Sequence, residues 1–265
     1  MTGQVRRLSF GPVAEAYDRA RPDYPDALVE DVIREADCRP GEEVLEIGAG
    51  TGKATRMFCA RGLSVVAIEP DREMAAVASR QAATAGHALR IIASDFESAQ
   101  LPAGAFALAY SAQAWHWVDP RAGYRQARRV LRDRGVLAAF WNRIDWSRCP
   151  IRGELQEAYR EAGAMHIRGG PMHPSLSLPL QAGDEWHPGL LREAGFGESV
   201  TRRYERVLRY TTVEYVALLS THSDHILLAA DVRDRLLELV GEVIERHGGA
   251  LEVSAPTLLC LARAS

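Results

Sequence analysis

The residues of this sequence that could do chemistry cluster where apolar runs end. The run Val44-Leu45-Glu46-Ile47 passes into Gly48-Ala49-Gly50-Thr51-Gly52, and a helix-like run opens at Lys53. Glycine has no Cβ and tolerates positive φ, so such a loop lets a ligand approach main-chain atoms closely. Glu69 closes the next apolar run, about 20 residues beyond the loop, where a carboxylate can accept both hydroxyls of a ribose. Asp95 closes the third run and can accept a hydrogen bond from an adenine amino group. Its neighbour Phe96 can lie against the adenine ring or pack in the core. A dinucleotide fingerprint needs glycines as GxGxxG. Here the third glycine, Gly52, comes one residue early and Lys53 stands in its place, which weakens a pyrophosphate reading.

A second group follows the fourth and fifth runs. Ser111-Ala112-Gln113-Ala114-Trp115-His116-Trp117 succeeds Phe106 to Tyr110. His116 is a candidate general base or substrate contact, with Trp115 and Trp117 as pocket walls; a structural packing turn explains the same residues. Asn142, Arg143 and Trp146 can line a substrate side, and Arg143 can hold a carboxylate or lie solvated. His222-Ser223-Asp224-His225 imitates metal-ligand spacing but has no clear third ligand. Helix capping by Ser223 or Asp224 is the favoured reading there, with His222 or His225 reaching toward a pocket, and no metal is expected. His166, His173 and His187 receive no role. The arginines between Arg121 and Arg134 form a solvated helix face.

The elements that must position these residues alternate. Apolar runs Val44–Ile47, Leu63–Ile68, Leu89–Ala93, Phe106–Tyr110 and Gly135–Phe140 predict strands. Helical patterns fall between them at Lys53–Arg61, Glu73–Gly86 and Ala122–Leu131, after an amphipathic helix at Asp26–Ala36. Such alternation predicts an α/β, doubly wound, mostly parallel sheet, with ligands outside the carboxyl ends of its strands. Two late strands, Val200–Tyr210 and Leu258–Ala262, bring the count to seven. A helix near Glu154–Ala162, a Pro-, His- and Gly-rich loop from His166 to Pro188, a short helix at Leu190–Ala194, the segment Val213–Leu219 and a long helix at Ile226–His247 supply a mainly helical cap. The predicted organisation is an N-terminal arm over 1–25, a ligand-binding core over 26–143, a cap insertion over 144–198, and closing strands with further cap elements over 199–265.

Composition narrows the class. The chain has 265 residues, 47% hydrophobic and 25% charged, with a formal net charge of −3. That balance gives no electrostatic reason to expect nucleic acid or an anionic membrane as partner. No signal-peptide core and no apolar run of membrane-spanning length is evident. Cys38, Cys59, Cys149 and Cys260 are widely spaced, which fits a reducing cytoplasm better than a disulfide framework.

Taken in order, Glu46, the GxGxG loop, Glu69 and Asp95 on successive strand ends resemble the class I S-adenosylmethionine-dependent methyltransferases. The arm, with its Ala-x-x-Tyr and Arg-Pro-x-Tyr-Pro, and the Gln-Ala-Trp-His-Trp run resemble the small-molecule, trans-aconitate-methyltransferase-like (methyltransferase type 11) branch. The resemblance implies a Rossmann-like fold and S-adenosylmethionine as cofactor, leaving as S-adenosylhomocysteine. It implies that Gly48, Ala49 and Gly50 approach the methionine part and that Glu46 lies near its ammonium. Glu69, with Pro70 beside it, would take the ribose, and Asp95 and Phe96 the adenine. Ser111 or Gln113 would face the sulfonium. Tyr17, Arg21 and Tyr24 would fold over the methionine end, Arg21 toward the cofactor carboxylate, with Tyr24 reaching the acceptor. Tyr24, Trp115, His116, Asn142, Arg143 and His222 are the expected acceptor contacts. The expected reaction is methyl transfer to a small molecule, O-methylation favoured slightly, in an enzyme of unknown oligomeric state. A cofactor-binding cyclase or isomerase, an NAD-dependent oxidoreductase and a non-enzymatic ligand-binding regulator are the alternatives.

Overall fold

The computed structural model describes residues 13–167, 170–172 and 185–265. Five strands run parallel: β1 (Glu43–Ile47), β2 (Ser64–Ile68), β3 (Leu89–Ile92), β4 (Phe106–Ala112) and β5 (Leu131–Asn142). β1 is buried from Val44 to Ile47, as a central parallel strand covered on both faces must be. Two antiparallel strands finish the sheet, β6 (Phe196–Tyr204) at its edge and β9 (Thr257–Ala264) between β6 and β5. The spatial order is β3-β2-β1-β4-β5-β9-β6. Strand order reverses between β1 and β4, and the crevice outside their carboxyl ends is where such sheets hold ligands.

Helices cover both faces. They are α1 (Ala14–Ala20), α2 (Asp26–Glu35), α3 (Lys53–Cys59), α4 (Arg72–Ala85), α5 (Pro120–Val130), α6 (Arg152–Glu161), α7 (Pro188–Glu193), α8 (Thr212–Leu219), α9 (Ser223–Ile226) and α10 (Ala230–Arg246). One face buries Ile47, Phe106, Trp115, Tyr124 and Trp141 together. The other buries Val44, Phe58, Tyr110 and Phe140, with the Phe58 and Tyr110 rings stacked at 3.9 Å. A third core lies beyond the carboxyl edge. There Leu155 and Tyr159 of α6, Tyr215 and Leu218 of α8, and Leu236 and Val240 of α10 pack around Trp146. Among the described residues no helix is long and apolar enough to cross a membrane.

Three expectations need correction. The run Val200–Tyr210 is two strands, because the chain leaves the main sheet after Tyr204. β7 (Val207–Thr211) pairs instead with β8 (Ala250–Ser254), a strand that the periodicity did not show. The long helix expected over Ile226–His247 starts later, at Ala230, because Ile226 ends the short α9 instead. Neither Ser223 nor Asp224 caps a helix, since His222 holds the N-cap position of α9 and makes no side-chain cap. The arm before Val13, and most of the expected loop from His166 to Pro188 including His173, lie outside the described residues.

The turn after β1 is tight for a packing reason. Gly48 has φ +73°, and a Cβ there would lie 2.4 Å from the Cβ of Ala114. Gly104 has φ +62° but open space around it. Gly48→Ala is expected to cost about 1–3 kcal/mol for backbone strain plus a further loss for the clash. Gly104→Ala should lose only the strain part. Denaturant unfolding of both variants checks this; equal losses would remove Ala114 as the constraint.

Candidate functional site

Glu46, at the end of β1, is fully buried. Its Oε2 accepts hydrogen bonds from the Thr55 hydroxyl of α3 and, at 3.0 Å, from the Tyr110 hydroxyl of β4. Its Oε1 is buried with no partner. Burial pushes the Glu46 carboxyl up to about 7, against the pull of those two hydroxyls, and the Glu69 charge adds to the rise. An acid so placed, with one oxygen unspent, can receive a cationic group from the loop side.

The loop above it is set by β2. The Gly48 and Ala49 amides both donate to the Ile68 carbonyl, at 2.8 and 3.2 Å. Glu69 accepts from the Gly50 amide at 2.7 Å and from the Asp71 amide at 2.9 Å. Asp71 in turn caps α4 by accepting from the Glu73 and Met74 amides. Glu69 is thereby locked at the mouth of the crevice, beside the partly exposed Pro70, and a carboxylate in that lock retains acceptor capacity for hydroxyls. Of Gly48 and Gly50, only Gly50 has space beside its Cα, its nearest neighbour being Met74 Cε at 3.8 Å. Asp95 is half-buried just beyond β3.

Several expected contacts fall in the core instead. Phe96 is 3% exposed and packs toward Trp115, their ring centroids 6.2 Å apart, so its ring is spent on the interior. Trp115 is 2% exposed among Tyr124 and Trp186, and is no pocket wall. Ser111 is fully buried and donates its hydroxyl to the Ile47 carbonyl at 2.8 Å, which pins β4 to β1. Gln113, at φ +59°, remains at the strand end and donates through Nε2 to the Asn142 carbonyl.

The arm is strapped across this edge. Asn142 donates to the Asp23 carbonyl at 3.3 Å and accepts from Thr257 Oγ1 at 2.7 Å. Tyr24 is buried edge-on against Phe140 at 4.8 Å. Tyr17 packs toward Ala14, Met74 and Val77. Arg21 lies over the Tyr17 ring, 4.8 Å from its centroid, and donates to Thr221 through Nε and Nη2, both at 2.9 Å. Asn142 thus orients the arm, and Arg21 joins the arm to the cap.

His116 lies in the short turn Trp115–Trp117 that follows β4. Its Nδ1 accepts from the Trp141 indole N–H at 3.4 Å and stands 4.0 Å from Glu185 Oε1. Burial pulls His116 down to about 4, and the Arg143 charge adds to the fall against the Glu185 carboxylate. With Nδ1 accepting, the neutral ring carries its proton on Nε2 and presents a donor. Arg143 forms an ion pair with Glu185 and lies over the Trp141 ring, so it is paired and only partly exposed. No pattern in the sequence singled out Glu185, Trp141 or Thr221.

His222 packs edge-on against His225, 5.4 Å between centroids, and burial drives it well below its ordinary range, with Arg21 adding to the fall. His222, Asp224 and His225 have ligand atoms within 4.8 Å of one another. His225 spends both nitrogens elsewhere: the Tyr159 hydroxyl is 2.7 Å from Nε2, and Asp224 Oδ1 is 2.9 Å from Nδ1. Buried His225 thus links Tyr159 to Asp224, and His222 joins them through ring packing. The partly exposed His187 belongs to the core side, its amide donating to the Tyr124 hydroxyl at 2.9 Å.

Comparison with known proteins gives the chain its relatives. Residues 45–139 match the family model described as a methyltransferase domain. An uncharacterised methyltransferase of Mycobacterium tuberculosis is 33% identical over 242 residues, covering 91% of this chain and 87% of its own. The malonyl-[acyl-carrier protein] O-methyltransferase of Serratia marcescens is 33% identical over 187 residues, 68% of each chain. Among solved structures, a protein of Anaeromyxobacter dehalogenans described as a type II methyltransferase superposes with TM-score 0.59. It is 22% identical, covering 92% of this chain and 97% of that one, a likeness of fold.

The burial of Glu46 has a consequence for stability. Its folded-state pKa lies above that of the unfolded chain, so the folded state holds its proton more tightly. The contribution is present in full below the unfolded value and is lost as pH rises through about 7. Glu46→Gln, which mimics the protonated acid, is expected to flatten the fall in stability over that window. Denaturant midpoints measured across the window check it; parallel curves for the two proteins would refute the assignment.

Proposed function

Because this chain belongs to the class I S-adenosylmethionine-dependent methyltransferases, we propose that it methylates an oxygen of a small-molecule carboxylic acid. The observation that carries the choice is the state of His116. Its ring is neutral, its Nδ1 is taken by Trp141, and its Nε2 offers a hydrogen, so it is poorly placed to accept a proton. Glu185 is engaged with Arg143. A hydroxyl or ammonium acceptor needs a base, whereas a carboxylate arrives already ionised. The likeness to the Serratia marcescens enzyme, an O-methyltransferase by name, supports oxygen as the atom methylated.

The bound cofactor supplies a methyl group on a sulfonium, an excellent leaving group, and departs as S-adenosylhomocysteine. The chain's own part is to position and to exclude water. In this reading Glu46 Oε1 takes the ammonium, a fit favoured by its unpartnered burial. The main chain at Gly48, Ala49 and Gly50 borders the methionine part, Glu69 takes the ribose diol beside Pro70, and Asp95 takes the adenine amino group. Tyr17 and Arg21 close the methionine end. Gln113 holds the strand-four edge that faces the sulfonium. His116 donates from Nε2 to an acceptor oxygen, and Tyr24, Arg143 and His222 border the acceptor. We assign the arm to 1–25, the cofactor core to 26–143, the cap insertion to 144–198 and the closing elements to 199–265. The free cysteines accord with a cytoplasmic setting.

The test incubates the protein with S-adenosylmethionine and matched panels of small acids, phenols, alcohols and amines, and reads products by mass. A base-labile methyl ester formed from an acid is expected; methylation confined to amines or phenols would overturn the proposal. Glu69→Gln should weaken S-adenosylhomocysteine binding by about tenfold to a hundredfold, the worth of a hydrogen bond to a charged group. Unchanged affinity by calorimetry would remove Glu69 from the ribose.

A further inference from the structure

Three side chains of metal-ligating type meet in the cap, just beyond the Arg21 contact at Thr221. His222, Asp224 and His225 each offer one ligand atom, and the three atoms lie within 4.8 Å of one another. Asp224 Oδ1 is 2.9 Å from His225 Nδ1. The His222 ring packs edge-on against that of His225 and makes no hydrogen bond among the described residues. Spacing along the chain supplied two histidines and no clear third ligand. The short α9 brings Asp224 within reach of both rings, which provides it.

Two imidazole nitrogens and one carboxylate oxygen suit zinc or a similar divalent ion better than magnesium or calcium, which prefer oxygen. Such an ion needs neutral imidazole and ionised carboxylate. Burial, with the Arg21 charge, keeps His222 neutral. Burial raises the Asp224 carboxyl, but the bond from His225 brings it down to about 2. The bond lengths of tetrahedral zinc place neighbouring ligands roughly 3.3 Å apart. Asp224 and His225 already stand near that spacing, and His222 closes on them by turning its ring. His225 would ligate through Nδ1, in place of its hydrogen bond with Asp224. Its Nε2 then carries the ring proton and donates to the Tyr159 hydroxyl, 2.7 Å away. Proteins fix a ligating imidazole by such an outer bond. Arg21 opposes a cation here, though its guanidinium is directed at Thr221 by two hydrogen bonds. That repulsion places the affinity below that of a four-ligand structural zinc site.

We infer that His222, Asp224 and His225 form a binding site for Zn²⁺ or a similar divalent ion, with Tyr159 supporting His225. An ion there ties α9 to α6 of the cap core, beside the residue that Arg21 holds, and so stiffens the cap where it joins the arm. A metal at this place departs from the sequence expectation of none. It does not depend on which acceptor is methylated.

The experiment strips the whole chain of metal with a chelator, removes the chelator, and titrates with Zn²⁺ by calorimetry and with Co²⁺ by visible absorption. One equivalent of each should bind, Co²⁺ with the ligand-field bands of a nitrogen- and oxygen-ligated ion, and Zn²⁺ should raise the thermal midpoint. His222→Ala and Asp224→Asn should each lower the affinity by at least about tenfold, and Tyr159→Phe by about tenfold to a hundredfold. His247→Ala, which removes the exposed histidine paired with Glu154, should leave it unchanged. Thermal midpoints in chelator report that each variant is folded. No bound equivalent, an equivalent lost in His247→Ala, one unweakened in both His222→Ala and Asp224→Asn, or displacement of Zn²⁺ by equal Mg²⁺ would overturn the inference. Unchanged affinity in Tyr159→Phe would overturn the assignment of Tyr159.

Discussion

Glu46 brings a carboxylate into the centre of the sheet, and three elements meet on it: β1, which carries it, α3, which donates the Thr55 hydroxyl, and β4, which donates that of Tyr110. Tyr110 is itself stacked on Phe58 of α3 at 3.9 Å. The acid thereby ties the strand before the glycine loop to the helix after it and to the strand across the switch point. Ser111 adds a second tie between β4 and β1 through the Ile47 carbonyl. The loop can be open to a ligand above because it is fastened so firmly below. Desolvation makes the arrangement expensive, and the unpartnered Oε1 is where a cation would offset that expense.

The arm depends on the same edge from the other direction. It is held across the strand ends from several sides: Asp18 pairs with Arg56 at 2.9 Å, Asp23 with Lys53, and Asn142 donates to the Asp23 carbonyl. Arg21 then reaches Thr221 of the cap. Sheet, arm and cap are coupled through polar contacts of modest individual worth, whereas the sheet and the cap each have their own apolar core. The arm also adds apolar contacts to these cores, Tyr24 against Phe140 on the sheet and Ala20 against the cap, so lifting it would expose apolar surface as well as break hydrogen bonds.

The parallel half of the fold was legible because each of its strands is largely apolar and ends in a marked turn, from Val44 to Phe140. Glu46, Glu69 and Asp95 stood out because they fall at or near the ends of those runs, where the structure also has them. The antiparallel half was legible only in part: Leu258–Ala262 lies within β9, but Val200 to Tyr210 alternates without a break even though the chain changes sheets at Glu205 and Arg206. Periodicity registers which face a residue takes and says nothing of which partner the strand has. Aromatic and hydroxyl residues misled where side-chain destination decided the role. Phe96, Trp115 and Ser111 stand at positions where a ligand contact and a core contact have one and the same sequence pattern. Glu185 and Trp141 came to matter only through the His116 ring between them.

Charge inside the enclosure bears on what kind of acceptor it admits. The methyl donor is a cation at sulfur. Arg143 is cancelled by Glu185, and Asp23 faces outward to Lys53. In the reading proposed above, Glu46 meets the cofactor's ammonium and Arg21 its carboxylate end, so both are spent on the cofactor. What then bears on the acceptor is the base: Trp141 takes His116 Nδ1 and burial keeps the ring neutral, so under that reading the acceptor it suits is one that arrives already ionised.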